Sequence, residues 1–363
     1  MPADLFEPFQ LGDLTLANRI VMAPMTRNRA EEDGVVTPMM VTYYQQRASA
    51  GLIITESAPV SPEGVGYPFT PGIYTGAQAA SWRRVTDAVH SAGGRIFIQL
   101  QHCGRISHPS LRPDNATPVG PSALRPDGQA VTYTGMQDFV IPRALETDEI
   151  PRIVAQFQHG AEMAKRAGFD GVEVHGANGY IIDQFLRDAS NHRSDGYGGS
   201  VQNRMRLLNG ILDAVCAVWP VQRVGVRLSP ENGFNSMSDS DPQAHFGYVI
   251  EQLSPRGLAY VHVLEGDMMA KSSALDYGAL RVKLAGPYIA NSGYDLERAQ
   301  TAVRSGAADL VAFGIPFVAN PDLVRRYREG LTLAEADPNT FYGGGEAGYT
   351  DYPFYRREET HAR

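Results

Sequence analysis

Eight short, apolar, β-branched runs recur along the chain with helical segments between them, and this alternation restricts the fold more than any other feature. They lie at Arg19–Ala23, Gly51–Thr55, Arg95–Leu100, Gly171–Val174, Val224–Leu228, Tyr260–Leu264, Tyr288–Asn291 and Leu310–Phe313. Each is nearly continuous in hydrophobicity, the pattern of parallel strands covered on both faces. Several follow a glycine helix stop, as at Gly94, Gly168 and Gly306. Eight such units predict an α/β fold, a closed (β/α)8 TIM barrel. An open doubly wound sheet would want a Gly-x-Gly-x-x-Gly turn after an early strand, and none is present there.

The spacing is uneven. Roughly 70 residues separate the third run from the fourth, and the excess, about 104–147, is rich in Pro, Gly, Ser and Arg. An insertion of that size after a barrel strand predicts a lid or pocket wall. Before the first strand, the alternating stretch Leu5 to Leu16 reads as a hairpin capping the bottom of the barrel. The tail, about 338–363, is an aromatic, glycine-rich loop. The expectation is one domain over residues 1–363.

Composition narrows the class. A hydrophobic content of 43% is ample for a large core, and a net charge of -8 argues against nucleic acid or an anionic membrane as partner. No run approaches about 18 uninterrupted apolar residues, and the amino terminus lacks a basic region followed by an apolar one, so a cytoplasmic protein is expected. Cys103 and Cys216 are too few for a disulfide framework or an iron–sulfur cluster and are expected as buried thiols. His102, Cys103 and His108 do not have metal-ligand spacing, so no metal site is expected.

Polar residues gather at the predicted carboxyl ends of the strands, where barrel enzymes keep their chemistry. The first run leads into Pro24, Met25 and Thr26, the second into Glu56 and Ser57, and the third ends in Gln99, Gln101 and His102. His175 follows the fourth, Arg227 lies in the fifth, Asn291, Ser292 and Gly293 end the seventh, and Gly314 follows the eighth. Glycine turns after the last two strands suit a phosphate held on backbone N–H groups. His175 and Asn178 share one strand-to-helix turn with Tyr180. Two hydrogen-bond donors and a weak acid there describe a site that polarises a carbonyl and protonates its neighbour. Any one of these residues alone is more readily explained as backbone satisfaction or packing; six strand ends together describe a site.

The segment Ala167 to Tyr180 continues through Gln184, Phe185, Asn191 to Arg193, Asp195 to Ser200, Asn203 and Arg204. It resembles the signature of the old yellow enzyme family of FMN-dependent ene reductases. Leu5 to Pro8, Asn18 to Arg27, Gly225 to Pro230 and Asn320 to Leu323 match as well, and Phe341 to Pro353 resembles the tail of the family's classical branch. The resemblance covers essentially the whole chain. It implies FMN across the barrel mouth, with Thr26 on flavin O4, Gln99 on the pyrimidine edge and Arg227 beside N1 and O2. The Ser292, Gly293 and Gly314 backbone would meet the phosphate, and Pro24, Met25, Ser57, Phe313 and Ile315 would complete the cofactor walls. His175 and Asn178 would grip the carbonyl oxygen of an activated alkene, a hydride would reach its β-carbon, and Tyr180 would protonate the α-carbon. Tyr67, Gln101, Asn235 and Tyr342 would line the substrate pocket. NADPH or NADH would serve as reductant, the substrate would be a small molecule, and the enzyme would be a monomer or homodimer.

Two positions depart from that pattern. Ile315 stands where the family usually has an arginine on the phosphate, which predicts looser FMN retention. Gln101 stands where tryptophan is common, which makes one pocket wall smaller and more polar. A Schiff-base aldolase would need a lysine at a strand end, and Lys271 lies several residues past its strand. A dienoyl-CoA reductase relative would need a cysteine cluster that is missing. A flavin-binding sensor without turnover, or a reductase of nitro compounds and nitrate esters, remains the alternative.

Overall fold

A computed structural model describes residues 3–356, so the end of the tail, 357–363, lies outside the described residues. All eight predicted runs form strands: Ile20–Met22, Leu52–Pro59, Ile96–Gln101, Gly171–Gly176, Val224–Leu228, Tyr260–Leu264, Tyr288–Asn291 and Leu310–Phe313. They pair in parallel, each with the next, and the eighth closes on the first. The fold is a (β/α)8 barrel. Helices such as Gly76–Ser91, Ile150–Arg166 and Arg206–Cys216 pack outside it, and their apolar faces share one large core with the outward-facing strand residues.

Alternation along each strand divides the barrel interior into layers. Leu52, Ile54, Phe97, Tyr260, Ile289 and Leu310 fill the lower layers together with Leu11, Leu14 and Leu16. Those three leucines belong to an antiparallel hairpin, Phe9–Leu11 with Leu14–Leu16, so the predicted cap plugs the bottom. Two residues further along the same strands, the inward positions turn polar. Glu173 sits level with Gln99, His175 with Arg227, and Arg227 with His262. The period of two thus carries an apolar floor and a polar mouth on the same strands.

The second strand runs longer than predicted because it contains a bulge. Ile54 aligns with Phe97, but Ser57 aligns with Gln99, so the second strand carries one extra residue there. The kink turns Ser57 toward Gln99 and leaves Glu56 on the opposite side, against Tyr44 and the backbone of Arg27.

The insertion after the third strand holds a small hairpin, Gln129–Thr132 with Gly135–Asp138, that periodicity did not reveal. Its base is pinned by Arg193, which donates to the Pro121 and Leu145 carbonyls and pairs with Asp195 at 2.5 Å. Arg193 and Asp195, just ahead of the glycine-rich loop, therefore anchor the lid. The tail loop is clamped from beneath by the first strand's loop. Arg27 donates to the carbonyls of Phe341 and Gly348, both at 2.8 Å, and Arg29 to those of Thr340 at 2.9 Å and Gly345 at 3.0 Å. Tyr349 is fully buried, stacked 4.1 Å from Tyr43 and capped by Arg29 at 4.4 Å. Cys103 is buried as expected, whereas Cys216 is only half-buried; both are free thiols. No helix among the described residues is long and apolar enough to cross a membrane, and no cluster of candidate metal ligands occurs among them.

Candidate active site

The turn after the fourth strand gives its side chains little freedom. Asn178 adopts a left-handed backbone at φ 58° and Gly179 follows at φ 76°. Asparagine tolerates that region. A Cβ on Gly179 would meet Asn235 Cβ at 2.7 Å, so only glycine fits the second position. The Ser229 hydroxyl accepts the Asn178 backbone N–H at 2.8 Å, and Asn235 Nδ2 donates to the Asn178 carbonyl at 2.8 Å. The loop after the fifth strand thus fixes one asparagine of the loop after the fourth.

Hydrogen bonding also sets which atoms remain free. The Ala177 backbone N–H donates to His175 Nδ1 at 3.3 Å, which assigns the proton to Nε2. Burial, with the Arg227 cation beside it, holds His175 well below the usual imidazole range, so the ring is neutral. Asn232 Nδ2 donates to Asn178 Oδ1 at 3.0 Å, which leaves the Asn178 amide N–H uncommitted. Tyr180 lies edge-on to His175 with ring centroids 5.0 Å apart, and its hydroxyl is 3.1 Å from that of Tyr67. Burial raises the Tyr180 phenol well above its ordinary value, with Tyr67 and Cys103 adding to the effect, so it keeps its proton at neutral pH. One neutral imidazole N–H, one amide N–H and one phenol O–H therefore sit around a single turn.

A second set of groups begins on the two neighbouring strands and continues around the barrel mouth. Gln99 is buried; its Oε1 accepts the Ser57 hydroxyl and its Nε2 donates to Glu173 at 2.6 Å. One N–H and one lone pair of that amide stay available. Arg227 donates to Asn291 Oδ1 at 2.9 Å, and Asn291 in turn donates to the Ala312 carbonyl. Its Nε is buried with no partner. Pro24, Met25 and Thr26 are half-buried beside the eighth strand, where Met25 Sδ would stand 3.5 Å from a Cβ on Gly314. Phe313 is buried, and Ser292 at φ 90° and Gly293 at φ 66° turn the chain after the seventh strand. Ile315 is 61% exposed at the start of the Ile315–Ala319 helix.

The pocket walls come from loops. Tyr67 is half-buried, Gln101 is buried and donates to Cys103 Sγ at 3.2 Å, and Asn235 sits at φ 62° between Asn178 and Tyr67. Ala130 and Phe139 of the lid pack with Tyr180, Cys103 and Ile106. Tyr342 is 70% exposed on the tail loop, so of the expected wall residues it is the least enclosed.

Several site residues escaped sequence reasoning. Glu173 and His262 form a fully buried pair, Nδ1 to Oε2 at 2.9 Å, directly behind Gln99. Both sit inside apolar strands two positions from a mouth residue or level with one, and that parity was a usable signal. Ser229 and Asn232 hold Asn178 but look like ordinary loop residues in sequence. Arg298, on the helix after the seventh strand, donates to the carbonyls of Ser292 at 3.3 Å and Gly293 at 3.2 Å, so a cation stands on the turn expected to meet a phosphate.

Comparisons with known proteins agree with this layout. The family model for the NADH:flavin oxidoreductase / NADH oxidase family matches residues 4–334. A probable flavin mononucleotide-dependent alkene reductase of Leishmania infantum is 44% identical over 355 residues, spanning 96% of this chain and 97% of the relative. The structure of morphinone reductase in complex with tetrahydroNAD superposes with a TM-score of 0.93 at 47% identity over 99% of both chains. An old yellow enzyme homologue from Zymomonas mobilis gives 0.94 at 42% identity, covering 97% of this chain and 100% of that one. With its eight-stranded barrel, its polar mouth and near full-length matches of this kind, the chain belongs to the NADH:flavin oxidoreductase / NADH oxidase family, the family of the old yellow enzymes.

Proposed function

We propose that this protein is an FMN-dependent ene reductase acting on alkenes conjugated to a carbonyl or nitro group, with NADPH or NADH as reductant. The observation that carries the reading is the pairing of two uncommitted donors, His175 Nε2–H and Asn178 Nδ2–H, with the protonated Tyr180 phenol at one turn. The other residues of the barrel mouth fit the cofactor. The orphaned Arg227 Nε and the half-used Gln99 amide suit a carbonyl-rich ring edge that gains negative charge, and the glycine turns after the last two strands suit a phosphate. Bound FMN, reduced by the nicotinamide, supplies the hydride that reaches the β-carbon.

The chain's own residues do the rest. His175 and Asn178 donate to the substrate oxygen, drawing electron density from the conjugated bond and stabilising the charge that develops there. A neutral imidazole serves better than an imidazolium here, since it donates without giving up its proton to the product. Tyr180 then delivers a proton to the α-carbon, and a phenol whose proton affinity burial has raised does not release it prematurely. The lid residues Ala130 and Phe139 limit water around that hydroxyl.

The test is spectroscopic. The purified protein is expected to show oxidised flavin bands that NADPH bleaches under anaerobic conditions and 2-cyclohexenone restores. Bands that bleach but never return with any enone or nitroalkene would indicate a flavin-binding sensor, and a protein that stays colourless after incubation with FMN would end the reading. Restoration by nitrate esters but not by enones would favour the nitro-compound alternative.

A further inference from the structure

A proton donor that works once per turnover must be reloaded, and Tyr180 is poorly placed to do so from water. It is 8% exposed, roofed by Ala130 and Phe139 of the lid and backed by Cys103 and Ile106. Its hydroxyl lies 3.1 Å from that of Tyr67, a half-buried residue of the loop after the second strand and so the more exposed partner of the two. The rings meet edge to face, with centroids 6.3 Å apart and planes 88° apart, so neither phenol can rotate its oxygen out of line without unpacking the other.

The hydrogen bonds around the pair give it a direction. Asn235, whose Nδ2 donates to the Asn178 carbonyl, favours the ionised form of the Tyr67 phenol, and Gln101 does the same for Tyr180. Both amides can act as donors. A donor on the Tyr67 oxygen commits the Tyr67 proton outward, toward Tyr180. Donors on the Tyr180 oxygen commit its proton toward the pocket and stabilise the phenolate left after it is spent.

We propose that Tyr67 reloads Tyr180 between turnovers, as one link of a phenol-to-phenol relay from solvent. This rests on the reading of Tyr180 as the proton donor. In the relay the Tyr67 O–H bond breaks as the Tyr180 O–H bond forms. The Tyr67 phenolate, stabilised by the Asn235 amide, then takes a proton from water or a buffer acid. No electrons change hands, and each cycle moves one solvent proton to one α-carbon. Tyr67 acts through Tyr180 and is a positioning and relay residue.

The distinguishing variant is Tyr67→Phe, which keeps the ring and removes the hydroxyl. Reduced holoenzyme is mixed with 2-cyclohexenone in a single turnover, and the rate is compared with steady-state turnover of the same preparation. The first turnover draws on a proton already on Tyr180, whereas later ones need the relay. The ratio of first-turnover to steady-state rate is expected to rise by about tenfold or more, in line with the loss of one general acid–base group. The steady-state solvent deuterium isotope effect should grow, and raising the concentration of imidazole buffer should restore turnover. A drop of both rates in step would mean that the hydroxyl only shapes the pocket and would overturn the relay, as would an unchanged ratio. Tyr180→Phe separates the two claims: if that variant protonates product as fast as the parent, the donor reading itself fails.

Discussion

Glu56→Gln tests how the bulge in the second strand couples to pH. The bulge leaves the Glu56 carboxyl fully enclosed, with one oxygen accepting the Tyr44 hydroxyl at 3.1 Å and the other the Arg27 backbone N–H at 3.3 Å. Burial is the dominant influence and raises the carboxyl from its ordinary 4.5 to about 7, against the opposing pull of those two hydrogen bonds and of Arg27 and Arg29. A gap of roughly 2.5 pH units at about 1.36 kcal/mol each corresponds to about 3 kcal/mol. The sign follows from which state holds the proton more tightly. The folded protein does, so this contribution is complete below about pH 4.5 and is lost as the pH climbs through about 7. Denaturant unfolding with excess FMN, at pH 5 and pH 8, should show wild type losing about 2.5 kcal/mol more than Glu56→Gln over that interval. The amide disturbs the Tyr44 hydrogen bond, but that cost does not vary with pH. Other titrating carboxyls, such as Asp183, which burial raises to about 6, are common to both proteins and cancel. Parallel stability curves for the two proteins would refute the reasoning.

Three further outcomes are expected. His175→Ala and Asn178→Ala should each lower kcat/KM for 2-cyclohexenone by about 10²–10³-fold, the usual cost of one oxyanion donor, measured at fixed NADPH; a loss confined to KM would point to simple binding. Ile315→Arg places a cation at an exposed position beside the expected phosphate turn and should tighten FMN by about 1.5 kcal/mol or more without affecting riboflavin, read by flavin fluorescence titration; equal gains for both ligands would rule out a phosphate contact. Tyr349→Ala removes a fully buried ring stacked between Tyr43 and Arg29 and should cost about 3–5 kcal/mol in unfolding experiments; a small loss would mean that the arginines hold the tail unaided.

What could be read from the sequence follows from what a period of two can carry. Parallel strands buried on both faces announce themselves as unbroken apolar runs, so all eight were visible, and the polar residues at six of their ends marked the mouth. The His175 turn stood out because imidazole, amide and phenol rarely share six residues. The lid hairpin stayed hidden because Gln129 to Asp138 has little hydrophobic alternation; Ala130 joins an apolar cluster with Tyr180, and side-chain hydrogen bonds such as Gln129 to Asp138 tie the two strands. The bulge was invisible because one extra residue in an apolar run leaves the pattern intact. Ser229 and Asn232 matter only through what they hold, and such support is a property of contacts that no local spacing encodes.

The arginine clamp on the tail also bears on how the molecule is made. Arg27 and Arg29 adjoin Thr26 at the mouth, yet their backbone partners lie more than three hundred positions later, from Thr340 to Gly348. A ribosome delivers the guanidinium groups long before the carbonyls that satisfy them. The strands can assemble in order of synthesis, but the loop beside the prosthetic group waits until residues 340–348 have been made, so a product truncated at residue 335 should emerge as a barrel with an unfinished rim.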